Sequence, residues 1–320
     1  MPRRTSSPAA LLAKYSLMIS VRQAAMIDDR LEKQYALGHL RPDLNFLPDW
    51  NRRSMAFRQA GKCRLDLAYG PGPRDRLDYF PSAEPKSSPT VVFIHGGYWQ
   101  RGDKSAYSFL AESLVKNGVS FAAINYEFCP GVRMTQIVDQ ARKALVWLWH
   151  NIDGLGGDRE NLSIVGHSAG AHISAMMMTT DWPSFAEGLP RDMLKGAILV
   201  SGIFDLEPLL STSNNDQLHL DPAEAFSQSP INQTAVSNAP QLVACGEDET
   251  QEFKWQSDRY VATFGVLNGR ITRHVVSGNH FDVLNELSDE HSGFHRSALN
   301  FIASLSGEPA EPNTLAAGAR

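Results

Sequence analysis

The chain has 320 residues and a mass of 35.3 kDa, a length that fits one large α/β domain better than two small ones. Hydrophobic residues make up 42% and charged residues 20%, enough for a full core, and the net charge of −5 gives no basic footprint for nucleic acid or an anionic membrane. Cys63, Cys129 and Cys245 are far apart and odd in number, so neither a disulfide framework nor a zinc pattern suggests itself, and a reducing, cytoplasmic compartment is expected. No apolar run reaches the roughly 20 residues needed to span a bilayer.

Residues 1–25 carry Arg3, Arg4, Lys14 and Arg22, and no acid precedes Asp28. Lys14 interrupts the apolar patch and no A-x-A site follows, so a flexible extension is expected rather than a secretion signal. Residues 26–305 read as one domain and 306–320 as a tail. Segments 27–37 and 50–60 read as leading helices. Short alternating strands at 63–69 and 76–80 flank the turn Gly70-Pro71-Gly72-Pro73. A strand at 90–94, a helix at 105–116 and a strand at 119–126 come next. The long helix at 134–151 has Ile137, Ala141, Ala144, Leu145 and Leu148 at helical spacing. Further strands are expected at 162–165, 197–200, 241–245 and 271–276, with helices at 171–178 and 253–264 and a mostly helical stretch at 282–305. Antiparallel strands followed by βα units predict a mostly parallel sheet with helices on both faces. Residues 204–238, rich in Ser, Asn, Asp and Pro with little periodicity, are expected to form a small cap over the site.

Two motifs carry chemistry. The run Leu162-Ser163-Ile164-Val165 leads into Gly166-His167-Ser168-Ala169-Gly170 and then a helical stretch. A G-x-S-x-G turn between strand and helix forces its serine into a strained conformation and exposes the hydroxyl above the sheet. Upstream, Val91-Val92-Phe93-Ile94 enters His95-Gly96-Gly97-Tyr98-Trp99, a glycine loop whose N–H groups suit a developing oxyanion. Together they point to an acyl-transferring hydrolase.

A serine near neutral pH needs a base and a group that orients the base. Those come from loops after later strands, in the order serine, acid, histidine. His280, in Ser277-Gly278-Asn279-His280-Phe281 after the last strand, meets that condition. His274 lies inside the strand. His291 and His295 are expected on the final helix, with the i, i+4 spacing of half a metal site but no third ligand, hence as a solvated face. Gly246-Glu247-Asp248-Glu249 offers three acids; reach past the strand-ending Gly246 selects Glu249, with Asp248 the alternative. Asp205, after the strand at 197–200, is a fourth candidate.

His95-Gly96-Gly97-Tyr98-Trp99, Gly166-His167-Ser168-Ala169-Gly170, Ser201-Gly202-Ile203-Phe204-Asp205-Leu206, Gly246-Glu247-x-Glu249-Thr250-x-Glu252-Phe253 and Gly278-Asn279-His280-Phe281 together resemble the kynurenine formamidase (arylformamidase) branch of the α/β-hydrolases. The resemblance runs from about residue 35 to about residue 301. It implies an α/β-hydrolase fold, with Ser168 as nucleophile, Glu249 as acid and His280 as base. Gly97, Tyr98 and Ala169 would supply oxyanion N–H groups. The implied reaction uses no metal and no organic cofactor. The substrate would be a small aryl amide such as N-formylkynurenine, or an ester or carbamate. Trp99, His167 and Phe281 are candidates to contact it, although Trp99 is as readily read as support for the loop. A non-catalytic ligand-binding protein of this fold is the other class, and the intact serine, histidine and glycines speak against it. No nucleic-acid or membrane partner is expected, and the sequence leaves the oligomeric state open, a homodimer included.

Overall fold

A computed structural model describes residues 27–37, 45–83, 88–268 and 270–305. Eight strands among them form one sheet: β1 (Arg64–Ala68), β2 (Arg76–Phe80), β3 (Ser88–Ile94), β4 (Ser120–Ile124), β5 (Gly157–His167), β6 (Ala197–Val200), β7 (Gln241–Gly246) and β8 (Ile271–Val276). Their spatial order is β1-β2-β4-β3-β5-β6-β7-β8. β2 is antiparallel to β1 and β4, and all the other pairs are parallel. The fold is that of an α/β-hydrolase. The carboxyl ends of β3, β5, β6, β7 and β8 therefore open on one edge of the sheet, where ligands of open α/β folds bind.

Helices cover both faces, which is why the central strands read as continuous apolar runs rather than alternating ones. Successive side chains of a strand point to opposite faces. Val92 and Ile94 accordingly join one core with Ile137, Ala141, Leu145 and Leu148 of α4 (Met134–Leu155), whereas Val91 and Phe93 join another with Phe109, Leu110, Val283 and Ile302. Each such buried Val, Leu, Ile or Phe side chain contributes about 1.5–3 kcal/mol. Before α4 come α1 (Asp29–Tyr35), α2 (Leu47–Ala60) and α3 (Phe109–Lys116). After β5 come α5 (Ala169–Met178) and α6 (Trp182–Phe185); between β6 and β7 lie α7 (Asn215–Leu218) and α8 (Pro222–Ser227). The chain closes with α9 (Gln251–Asn268), α10 (Asp282–Ser288) and α11 (Gly293–Leu305).

Three expectations need correction. The 282–305 stretch is two helices broken by a turn, so His291 lies outside α11, while His295 is buried with Nδ1 donating to the Leu287 carbonyl at 2.9 Å. The two do not share a solvated helix face. β5 begins at Gly157 rather than 162 because its polar start still pairs with Ser88 of β3. The 204–238 segment folds into short 3-10 and α-helical turns, none of whose residues lines the cavity described below. Residues 1–25 and 306–320 lie outside the described residues. Among the described residues no helix is long and apolar enough to cross a membrane.

Candidate active site

The turn after β5 is held by contacts that only glycines permit. A Cβ on Gly166 would stand 2.2 Å from the Gly170 carbonyl oxygen, and one on Gly170 would stand 1.9 Å from the Ile94 carbonyl oxygen. Between them Ser168 sits at φ 56° and ψ −120°, directly before α5. Its own N–H is fixed by the Val200 carbonyl at 2.8 Å. Such a conformation is costly for a residue with a Cβ and is retained where the surroundings enforce it. It leaves the hydroxyl on a cavity of about 430 Å³ whose lining also includes Gly96, Gly97, Tyr98, His167 and His280.

The two later loops meet beside that cavity. The N–H of Glu247 donates to the Val276 carbonyl and that of Asp248 to the Gly278 carbonyl, which ties the turn after β7 to the loop after β8. Glu249 is then buried with Oε2 2.7 Å from Nδ1 of His280. Its other oxygen accepts from the Ser201 hydroxyl at 2.5 Å and the Gly246 N–H at 2.8 Å. Burial alone would raise the carboxyl's pKa; the His280 charge and the bonds from His280, Ser201 and Gly246 outweigh it and hold the group at about 2. Glu249 is thus an anion, and it accepts the Nδ1–H. Among the described residues no hydrogen bond reaches Nε2 of His280, which lines the cavity beside Ser168.

The other acids stand elsewhere. Glu247 and Asp248 are exposed, and Glu247 accepts from the Ser277 hydroxyl. Asp205 pairs with Arg259 at 2.5 Å. Among the described residues no hydrogen bond joins Ser168 Oγ to His280 Nε2; both groups line the same cavity, and such bonds commonly tighten only once substrate is bound.

The glycine loop after β3 is anchored from several sides. Gly97 has φ 124°, and a Cβ there would lie 2.1 Å from the Arg101 carbonyl oxygen. Tyr98 and Trp99 follow at φ 53° and 55°. The Tyr98 hydroxyl donates to the Tyr35 carbonyl, fastening the loop to α1. Among the described residues the N–H groups of Gly97, Tyr98 and Ala169 have no backbone partner, and Ala169 is the first residue of α5, where the helix dipole favours negative charge. His95 is buried between Tyr107 and Tyr126 at ring separations of 5.7 and 4.6 Å, and burial lowers its pKa to about 4.

The three candidate contact residues divide. Phe281 and His167 line the cavity. His167 donates from Nε2 to the His280 carbonyl at 2.8 Å, and burial with the neighbouring His280 charge lowers its pKa to about 3. Trp99 does not line it: the side chain is fully buried, with Nε1 donating to Nδ1 of His172 at 3.2 Å, so it braces the loop from behind.

Sequence reasoning missed the wall of the cavity. Phe46, Leu47 and Trp50 line it, with Phe46 and Phe281 rings 5.8 Å apart and Trp50 and Phe281 6.2 Å apart. None of the described lining residues lies between 204 and 238, the segment expected to cap the site. Ser201, quoted in the sequence only as part of a motif, was given no role there, though its place directly after β6 was the available signal.

The BD-FAE family pattern matches residues 77–251, more than half of the chain. The kynurenine formamidase of Danio rerio is 34% identical over 281 residues, covering 83% of this chain and 93% of that protein. The chain belongs to the kynurenine formamidase family. It is a hydrolase, and the family extends the likeness beyond the motifs to nearly the whole fold. An isoprenylcysteine α-carbonyl methylesterase of Arabidopsis thaliana is 32% identical over 178 residues, 54% of this chain and 42% of that protein. Among solved structures, one from Silicibacter sp. described as a thioesterase superposes with a TM-score of 0.74 at 28% identity, covering 85% of this chain and 98% of that one.

Proposed function

We propose that this hydrolase cleaves aryl formamides of the N-formylkynurenine type through a formyl-enzyme, with Ser168 as nucleophile, His280 as base and Glu249 as its orienting acid. The observation that carries the reading is the His280 Nδ1–Glu249 Oε2 contact of 2.7 Å, which turns the free Nε2 toward chemistry on a cavity shared with a strained Ser168. In the acylation step His280 takes the Ser168 proton while Oγ bonds to the formyl carbon. The resulting oxyanion is held by N–H groups of Gly97, Tyr98 and Ala169, each worth roughly 3 kcal/mol in comparable sites. Collapse breaks the C–N bond as His280 returns its proton to the departing aryl amine. Water, deprotonated by the same imidazole, then releases formate and restores the serine.

An aryl leaving group suits a wall made of Phe46, Trp50, Tyr107 and Phe281. The three cysteines are free and two of them buried, which fits a reducing, cytoplasmic setting. Steady-state kinetics on N-formylkynurenine, short-chain phenyl esters and phenyl carbamates test the reading. The formamide is expected to have the highest kcat/KM. Turnover of the esters with none of the formamide overturns the substrate class while leaving the serine hydrolase intact.

A further inference from the structure

The cavity is aromatic and uncharged apart from its imidazoles and one guanidinium. Arg101 is the only lining residue with a permanent charge among those described. Its guanidinium has no carboxylate partner and stacks on no ring among the described residues, in contrast to Arg74, which the same region ties to Asp103, the Tyr126 and Gly102 carbonyls and the Phe128 ring. Arg101 is not loosely attached to the chain. Its N–H donates to the Gly97 carbonyl at 3.2 Å, and its Cγ lies 3.3 Å from where a Gly97 Cβ would stand. The stem therefore leaves the backbone one turn from the expected oxyanion donors, and the head remains exposed at the cavity.

We propose that Arg101 is a specificity-determining residue that binds a carboxylate carried on the aryl leaving group. The planar fork of a guanidinium matches a carboxylate with two parallel N–H···O bonds. A cavity of about 430 Å³ has room for a phenyl ring bearing a short acidic side chain. Bringing such a group in gives Arg101 a partner, while a neutral substrate leaves its guanidinium with no carboxylate among the described residues. Discrimination between acidic and neutral leaving groups then comes from Arg101, and the chemistry from the residues beside it. The inference rests on the reading of this cavity as the substrate site of a serine hydrolase.

The test uses two matched pairs on the intact chain: formanilide against 3-(2-formamidophenyl)propanoate, and phenyl acetate against 3-(2-acetoxyphenyl)propanoate. Wild-type protein is expected to favour the acidic member by roughly tenfold in kcat/KM, chiefly through KM, and to lose that preference as salt screens the contact. Arg101→Gln should bring the acidic-to-neutral ratio near one, and Arg101→Lys should leave it intermediate, since an ammonium keeps the charge without the fork. A wild-type ratio near one, or an Arg101→Gln variant in which both members fall by the same factor, overturns the proposal. If neither formamide is turned over, the formamidase reading fails on its own and the ester pair still decides the role of Arg101.

Discussion

Residues 27–37 with 45–50, and residues 204–238, all lie outside the sheet, and the two groups do opposite things. The first builds the site. Phe46 and Trp50 form the aromatic wall, and α1 receives the Tyr98 hydroxyl on the Tyr35 carbonyl and the Thr250 hydroxyl on the Gln34 carbonyl. One helix end thus ties the glycine loop after β3 to the turn that bears Glu249. The second segment supports from behind. Gln228 accepts from Nε2 of His172, whose Nδ1 accepts from Trp99, and Glu224 takes bonds from Thr135 and Arg133 on the start of α4. Composition does not separate the two roles, and the segments touch, the Asp28 N–H donating to the Ser211 carbonyl and Glu32 accepting from Ser213; what separates them is which side chains line the cavity.

Substitutions can break that contrast. The largest effect is expected from Trp50→Ala. The ring is buried against Phe46, Tyr107 and Phe109, and its Nε1 donates to Asn285 at 3.0 Å. Denaturant titration should show a loss of about 3–5 kcal/mol, and the folded fraction should have a raised KM for aryl substrates. An unchanged KM would remove residues 45–50 from the substrate wall.

Acid sharpens the supporting role of the second segment. Burial lowers the pKa of His172 to about 4 from an ordinary 6.5, so it is neutral in the folded protein and donates from Nε2 to Gln228. Below pH 6.5 the unfolded chain takes up the proton and the folded one does not, so stability is full above that value and is lost as pH falls toward 4. At pH 5 the loss from this one group is on the order of 2 kcal/mol, counting about 1.4 kcal/mol per pKa unit. His95 and His167 act in the same direction. Equilibrium unfolding of wild type and His172→Gln at pH 7.5 and pH 5 should show a shallower pH dependence in the variant; equal slopes would contradict a neutral buried His172.

A smaller change is expected at Glu224→Gln, which weakens the contacts to Thr135 and Arg133 by about 1–2 kcal/mol, measured as a shift in denaturant midpoint, with kcat/KM little altered. A large loss of kcat there would return a direct role to residues 204–238.

Much of this was legible in the sequence because its causes are local. Strand runs bounded by glycines, the helical stripe from Ile137 to Leu148 and the G-x-S-x-G turn depend on neighbours a few residues away. The placing of His280 after the last strand follows from topology. What could not be read depends on contacts between distant segments. Phe46 and Trp50 meet Phe281 only through the fold, and Trp99, next to the glycines after β3, turns inward because His172 on α5 offers a buried acceptor. The polar run at 204–238 looked like a lid because exposure and little periodicity are shared by lids and by ordinary surface turns. Glu249 was separable from Asp248 by reach and by the family resemblance, and the structure adds the reason: its two oxygens are claimed by His280, Ser201 and the Gly246 N–H, while Asp248 faces solvent.

The central claim is that Ser168 is a nucleophile activated by His280 on Glu249. Site-mapped phosphonylation by a fluorophosphonate measures it most directly, since the reagent needs the activated hydroxyl and no particular substrate. A single adduct on Ser168 is expected in wild type, with its rate reduced about 10³-fold or more in His280→Ala and about 10²-fold or more in Glu249→Gln, but little changed in Asp248→Asn. An adduct on another residue, or a wild-type rate in His280→Ala, would contradict it.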